Sequence, residues 1–287
     1  MGYKNDDLGT RMKTYYEEVP KFRLYRRTPV AIRIDGKAFH TFTRGFQKPF
    51  DEVLGNAMVR TMEYLCKNIQ GCVFGYTQSD EITLILLDYQ TLDTCAWFDY
   101  EIQKMCSISA SMATMAFNRY FNEEVNNWYY TCPIDTSKDD LFHTYVKSIE
   151  KGAMFDARCF NIPKEEVTNL VYWRQLDAAR NSVQMVGQAN FSHSELQNKT
   201  CNMIQDMLHE QRGINWNDYA TRWKRGVCCH KVPGERIVDT IVEEQEWGDP
   251  LIYEKVIQKY EWEIDWDMPQ LKGKDREYLD KLIFIGE

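Results

Sequence analysis

The sequence predicts an α+β protein with a ferredoxin-like β-α-β-β-α-β order, the split βαβ arrangement, plus added helices and a C-terminal extension. Three observations predict it. An alternating apolar run leads into a one-sided helix, two short apolar runs face each other across four polar residues, and a long helical stretch leads to a fourth strand. At 287 residues, with 44% hydrophobic and 14% aromatic side chains, the chain can bury the core such a sheet needs. The same composition excludes a disordered or low-complexity protein.

Val30-Ala-Ile-Arg-Ile-Asp35 puts Val30, Ile32 and Ile34 on one face, a strand, and Gly36 follows at a turn. Asp51 is placed to cap a helix carrying Leu54, Met58, Thr61, Met62, Leu65 and Ile69 on one side, closed by Gly71. The runs 72–77 and 82–87 flank Gln78-Ser-Asp-Glu81 and read as a hairpin with acidic residues at its turn. A long helical pattern spans about 94–120, and its middle, 107–113, is rich in small residues that admit a close neighbour. The stretch 126–140, with Pro133, reads as a loop, and 155–160 as a strand. Pro163, with Glu165 and Glu166, opens a helix to about Met185. The core is expected over residues 1–235. Residues 236–287 turn acidic and Trp-rich and read as an appended helical extension.

Thirty-five basic against 43 acidic side chains leave a formal charge of −8, which speaks against a diffuse electrostatic grip on nucleic acid. No apolar run reaches the ~20 residues of a membrane helix. The N-terminus has no apolar core of a secretory signal, so the expected compartment is cytoplasmic, with no membrane partner. Nine cysteines form no CxxC pair. The one cluster, Cys228-Cys229-His230, lacks a second ligand pair at zinc-finger spacing, so reduced and mostly buried thiols are the expected reading.

Two acidic points fall at strand ends, Asp35-Gly36 and Asp80-Glu81. In a split βαβ sheet the first strand and the hairpin can be neighbours, which would join Asp35 to Asp80. Two facing carboxylates repel unless a cation lies between them, and oxygen ligands suit Mg²⁺. Taken singly, each is an ordinary turn residue. Arg33, two residues before Asp35, and Lys37 and His40 after it suit a triphosphate, and Gly36 would let backbone amides approach phosphate oxygens. Arg174, Asp177 and Asn181, spaced i, i+3, i+7, form a polar stripe on one helix face, with Trp173, Leu176 and Val183 expected on the buried side.

Together these residues resemble the tRNA-His guanylyltransferase superfamily, and within it the guanylyltransferase-like branch of 3′-5′ polymerases. The likeness is carried by Arg33 to His40, Phe46 with 48–51, Gly75 to Glu81, Trp97-Phe98 with Lys104, Phe155 to Arg158, Trp173 to Asp177, and Trp223-Lys-Arg-Gly-Val. It covers roughly residues 25–235 and implies a palm like that of ordinary polymerases, with tRNA-binding elements in the same core. It further implies that Asp35, the Gly36 carbonyl and Asp80 hold two Mg²⁺ ions, with Glu81 a third catalytic acid. Arg33, Lys37, Ala38, Phe39, His40, Ser79 and Lys104 would line the nucleotide pocket, with Lys48 and Asp51 near the activating nucleotide. Arg158, Arg174, Asp177 and Asn181 would touch the RNA end or the triphosphate.

The activity so implied is nucleotide addition to tRNA 5′ ends in the 3′-to-5′ direction, with ATP and GTP or other nucleoside triphosphates as substrates and a homotetramer as the assembly. The alternatives are a non-catalytic tRNA-binding member of the fold and a cyclase-like enzyme that needs no RNA. Within the family, eukaryotic guanylyltransferases carry His-Ile-Asn-Asn after Trp-Arg-Gln-x-Asp, where this chain reads Ala179-Arg180-Asn181-Ser182. That departure favours templated repair of 5′-truncated tRNA over guanosine addition at position −1 of tRNA-His.

Overall fold

A computed structural model describes residues 7–131, 136–243 and 251–283. The chain enters through α1 (Asp7–Met12), which runs on into a π-helical turn, and reaches β1 (Val30–Gly36). The short α2 (Phe39–Phe42) and α3 (Glu52–Asn68) lead to the hairpin of β2 (Cys72–Gln78) and β3 (Glu81–Leu86). Then come α4 (Ile102–Thr131), α5 (Thr136–Lys151), β4 (Phe155–Asn161) and α6 (Lys164–Asn190). The small helices α7 (His193–Leu196), α8 (Cys201–Arg212) and α9 (Thr221–Arg225) precede β5 (Val227–Glu243) and β6 (Leu251–Asp265), and α10 (Glu277–Asp280) closes the described chain.

All strand pairs are antiparallel, in the order β4-β1-β3-β2-β5-β6. Its first four strands have the order of the split βαβ fold, the palm arrangement the sequence predicts. Period-2 alternation divides β1 between two cores. Val30, Ile32 and Ile34 pack with Ile82 and Leu84 of β3 under α3 and α4, where Met58, Met62, Leu65, Phe117 and Phe121 are buried. Ala31 and Ile85 face the other way, under Val167 and Val171 of α6 and the C-terminal Leu271, Leu279 and Ile283. Asp51 Oδ1 accepts from Leu54 N at 2.9 Å, so α3 starts at its expected cap, and Gly71, at φ +79°, turns the chain just beyond its end.

Four expectations are corrected. The long helix starts at Ile102, because Phe98, Asp99 and Tyr100 take positive φ and the Asp99 carboxylate pairs with Arg23 and Arg26. Much of the expected loop is helical, since α4 runs to Thr131 and α5 begins at Thr136. There Asn126 and Thr131 bond the carbonyls four residues back, at 2.8 Å each, and Trp128 packs edge-on against Tyr145; residues 132–135 lie outside the described residues. Small residues do serve the close approach expected of them: Ser109 and Ala113 are buried, and β4 lies against α4.

The acidic extension is mainly strand rather than helix, holding the end of β5 and all of β6 before the short α10, and the expected boundary at residue 235 falls inside β5. Glu261, Glu263 and Asp265 alternate with Tyr260, Trp262 and Ile264 at period 2, and Trp262 and Ile264 join the core. Fourth, Trp173 and Leu176 are exposed (51% and 46%) while Arg174 is 5% exposed, so the buried side of α6 is the opposite of that expected there; Val183 is buried as expected. Among the described residues no helix is long and apolar enough to cross a membrane.

Candidate active site

The register places β1 beside β3 with Asp35 opposite Glu81, and Gly36 N donates to the Asp80 carbonyl at 3.1 Å. Forty-five residues apart in sequence, Asp35 and Asp80 therefore meet at one end of the sheet. A cleft of about 470 Å³ opens there, lined by Asp35, Gly36, Ala38, Phe39, His40, Lys48, Asp51, Ser79 and Asp80, all of them expected, and by Thr43, Gln47, Met185 and Gln188, which were not. Met185 and Gln188 continue the Arg174-Asp177-Asn181 stripe at helical spacing, a periodicity that could have found them.

Backbone geometry sets the cleft wall. Ala38 and Ser79 both take left-handed φ, +55° and +51°, which non-glycine residues adopt only where surrounding structure enforces it. The first helical amide of α2 to find a carbonyl is Thr41, to Ala38 O at 2.9 Å, so the wall begins with a turn of free-ended backbone. Gly36 is required by a close approach, because a Cβ there would lie 2.2 Å from the Phe39 ring. That ring packs among Phe42, Phe117 and Phe155. Phe39 thus lines the cleft as expected while its ring belongs to the core.

The carboxylates are electrostatically loaded. Burial, with the Asp35 charge beside it, pushes the Asp80 carboxyl up to about 6. Burial and then the charges of Glu81 and Asp156 raise Asp35. Neither forms an ion pair among the described residues, and Asp80 accepts one bond from Ser79 Oγ at 3.1 Å. Oxygen-only donors repelling each other at a cleft fit a hard divalent cation such as Mg²⁺. Lys48 on the wall, with the exposed Lys37 beside it, supplies positive charge for phosphate oxygens, and His40 on the wall offers a ring N–H.

Glu81 does not join them. Its carboxylate lies between two guanidiniums: Arg33 Nε donates at 2.8 Å and Arg174 Nη1 at 2.8 and 3.1 Å, and Gln78 Nε2 adds a bond at 3.1 Å. Arg33 and Arg174 also flank the Trp173 ring, at 5.3 and 3.6 Å. Glu81, Arg33 and Arg174 are corrected from reacting or pocket groups to a buried ionic cluster behind the hairpin turn. Asp177 braces it, 3.5 Å from Arg174 and paired with Arg180. Asp51 is likewise occupied: Leu54 N, Gln47 N and Tyr145 OH donate to it at 2.9, 3.0 and 2.7 Å. Burial outweighs these bonds and raises its pKa.

Three expected contacts lie elsewhere. Asn181 lines a smaller cavity of about 90 Å³ next to the cleft, shared with Ser79 and Asp51 and floored by Met58 and Trp223. Arg158 stands exposed on β4 opposite Arg33, 3.3 Å from Asp156 and on the same face as Asp35. Lys104 does not line the cleft either. It precedes Cys106, whose thiol touches Cys159, and Cys159 pairs with Ile32, about four residues below Gly36 on the sheet. Its partner there is Glu101, at 4.0 Å.

Comparison with known proteins agrees with the fold and points to one family. The family model for tRNAHis guanylyltransferase matches residues 9–163. A solved bacterial tRNA(His) guanylyltransferase (Thg1)-like protein in complex with ATP is 36% identical, with a TM-score of 0.73 over 96% of this chain and 99% of that one. A second such structure, in complex with GTP, is 35% identical with a TM-score of 0.69 over 98% and 100%. A probable tRNA(His) guanylyltransferase of Dictyostelium discoideum is 25% identical over 76% of this chain and 82% of its own.

Proposed function

That the chain belongs to the tRNAHis guanylyltransferase family, and is a nucleotidyltransferase, is the premise from which we propose its reaction: Mg²⁺-dependent, templated 3′-to-5′ addition of nucleotides to 5′-truncated tRNA. The observation that carries it is the Asp35–Asp80 pair at the sheet end, with His40, Lys48 and Ser79 on the surrounding wall. ATP and GTP, each bound to a structural relative, are the natural activating and incoming nucleotides.

The chemistry needs no protein nucleophile. The tRNA 5′-monophosphate attacks the α-phosphorus of ATP and releases pyrophosphate. The 3′-hydroxyl of the incoming nucleotide then displaces AMP from the adenylated end, and pyrophosphate is later removed from the new 5′-triphosphate. Mg²⁺, held by Asp35, Asp80 and the Gly36 carbonyl, would neutralise developing phosphate charge. Lys48 and His40 hold triphosphate oxygens, the Ser79 hydroxyl donates to one of them, and Lys37 and Arg158 receive the RNA end. The Glu81 cluster keeps the hairpin turn, and hence Asp80, in place.

Template direction is supported by α6. Ser182, standing where the eukaryotic run has its second Asn, is buried and accepts the Trp216 indole N–H at 2.9 Å. That position is committed to packing rather than to a discriminator base, so base pairing supplies specificity. We further propose a homotetramer. Leu8, Tyr15, Tyr16, Val19, Phe22 and Tyr25 are exposed near the N-terminus, and a second copy is what would bring Lys104 to a nucleotide.

The test compares a non-His tRNA lacking its first 5′ nucleotide with full-length tRNA-His, both 5′-labelled, with ATP, Mg²⁺ and all four nucleoside triphosphates. Efficient repair of the truncated tRNA is expected. Guanosine addition to tRNA-His with failure on the truncated one would overturn the templated reading.

A further inference from the structure

On the far side of β5 from the buried Cys229, three chemically different donors converge from two strands. Cys228 pairs directly with Asp265 across the β5–β6 ladder, and His230 lies two residues on, on the same face. Their ligand atoms, Sγ, a ring nitrogen and a carboxylate oxygen, all lie within 4.8 Å of one another. Tyr278, from α10, puts its hydroxyl among them: 2.6 Å from Asp265 Oδ2, 3.0 Å from His230 Nε2 and 3.3 Å from Cys228 Sγ. None of these four residues lines the active-site cleft.

With a neutral imidazole the proton inventory of this cluster does not close. The Tyr278 hydroxyl has one proton, and its shortest contact is to the Asp265 carboxylate, so toward His230 it can only accept. His230 would then need its proton on Nε2, which leaves the Nδ1 lone pair facing the Lys231 carbonyl at 3.4 Å. Moving the proton to Nδ1 satisfies that carbonyl but turns the Nε2 lone pair on the tyrosine oxygen. Whichever way a neutral imidazole is protonated, two acceptors face each other. An imidazolium would satisfy both acceptors, and so does a metal cation at the centre, which also engages the Cys228 sulfur and the Asp265 carboxylate that lie within reach. The metal takes the Nε2 lone pair, and Nδ1–H donates to a backbone carbonyl, the orientation that metal-bound histidines adopt.

We propose that Cys228, His230 and Asp265 bind one Zn²⁺ ion, which ties β5 to β6 beside α10. The donor set selects the metal class. A thiolate, an imidazole and a carboxylate suit a borderline ion, whereas Mg²⁺ takes oxygen alone. The charge also balances, because the ion displaces the Cys228 thiol proton to solvent and the thiolate and carboxylate together neutralise it. Four-coordinate zinc with bonds of ~2.0–2.3 Å sets its donors ~3.5 Å apart, so the three close in by about 1 Å, a rotamer-scale adjustment. The Tyr278 hydroxyl withdraws to the fourth position or yields it to water.

The test uses the full chain, reduced without competing thiols, and adds Zn²⁺ or Co²⁺ in excess Mg²⁺. One equivalent of zinc is expected to survive gel filtration. The cobalt form should show intense four-coordinate d–d absorption and a sulfur-to-metal charge-transfer band. Cys228→Ser should abolish that band, and Cys228→Ser and Asp265→Asn should each weaken zinc binding on the order of 100-fold. Tyr278→Phe should keep the full equivalent. Cys66 lies within hydrogen-bonding reach of both Cys72 and Cys229, so Cys66→Ser serves as the control and should leave the band intact. No zinc retained by the wild-type chain, or a full equivalent and unchanged band in Cys228→Ser, would overturn the proposal.

Discussion

Glu81 immediately follows Asp80, and a catalytic carboxylate and a buried brace predict different outcomes when it is changed. In the structure both its oxygens are engaged by Arg33, Arg174 and Gln78, with about a tenth or less of the Glu81 and Arg174 side chains exposed. Glu81→Ala leaves Arg33 without its carboxylate partner and Arg174 with Asp177 alone, at 3.5 Å. Breaking a buried pair in this way costs about 3–5 kcal/mol, and a typical domain holds only about 5–15 kcal/mol in total. Glu81→Gln keeps the shape and the hydrogen-bond acceptor but loses the charge, so about 1–3 kcal/mol is expected.

The assay is paired. Urea unfolding followed by circular dichroism reads stability, and single-turnover addition of one labelled nucleotide reads chemistry. A double-mutant cycle of Glu81→Ala with Arg174→Ala should show the two changes to be strongly non-additive, since either one removes the same contact. Glu81→Gln should retain nucleotide addition, slowed on the order of tenfold by a less firmly held turn, whereas Asp80→Ala should abolish it. If Glu81→Gln is as inactive as Asp80→Ala while its stability is unchanged, Glu81 is a reacting group and the brace is wrong.

Asp35→Ala should eliminate nucleotide addition with the fold intact by circular dichroism, and full activity in that variant would exclude the assigned site. In metal-free protein the raised Asp80 pKa sets a pH signature. The carboxyl is neutral in both folded and unfolded states below about pH 4, and stability is lost as pH rises through about 6. A shift of about two units corresponds to at most about 3 kcal/mol. Melting curves in EDTA should therefore show Asp80→Asn stabler than wild type at pH 8 and level with it near pH 4; a pH-independent difference would refute this. Asp51→Ala removes a helix cap together with the acceptors of the Gln47 amide and the Tyr145 hydroxyl, so a loss of about 2–4 kcal/mol by urea unfolding is expected. Light scattering should return four times the chain mass, and a monomer would refute the tetramer.

What could be read from the sequence, and what could not, divides along one physical line. Strand alternation and the short hairpin are local, and an antiparallel palm has few ways to pair them, so Asp35 and Asp80 could be brought together without a structure. The misplaced residues are those whose position is set by a partner distant in sequence. Arg174, Asp177 and Asn181 do share a helix stripe, but a stripe does not say which way it faces. Because β3 buries the carboxylate of Glu81, α6 must turn Arg174 inward, and Trp173, the more apolar neighbour, is left outside as a lid over two guanidiniums. Hydropathy weighs each side chain alone, and a charged pair reverses the order of burial that it implies. The Phe39 ring goes to the core because Gly36 has no Cβ, an absence that hydrophobic patterning does not register. The Cys228-Cys229-His230 run obeys the same logic. At spacing two, Cys228 and His230 share a face while Cys229 leaves it, and the third donor, Asp265, is supplied by a strand hidden in an acidic stretch that composition disguised as helix. A ligand set completed across a ladder is invisible to spacing rules, which count along the chain, and becomes visible only once the register is known.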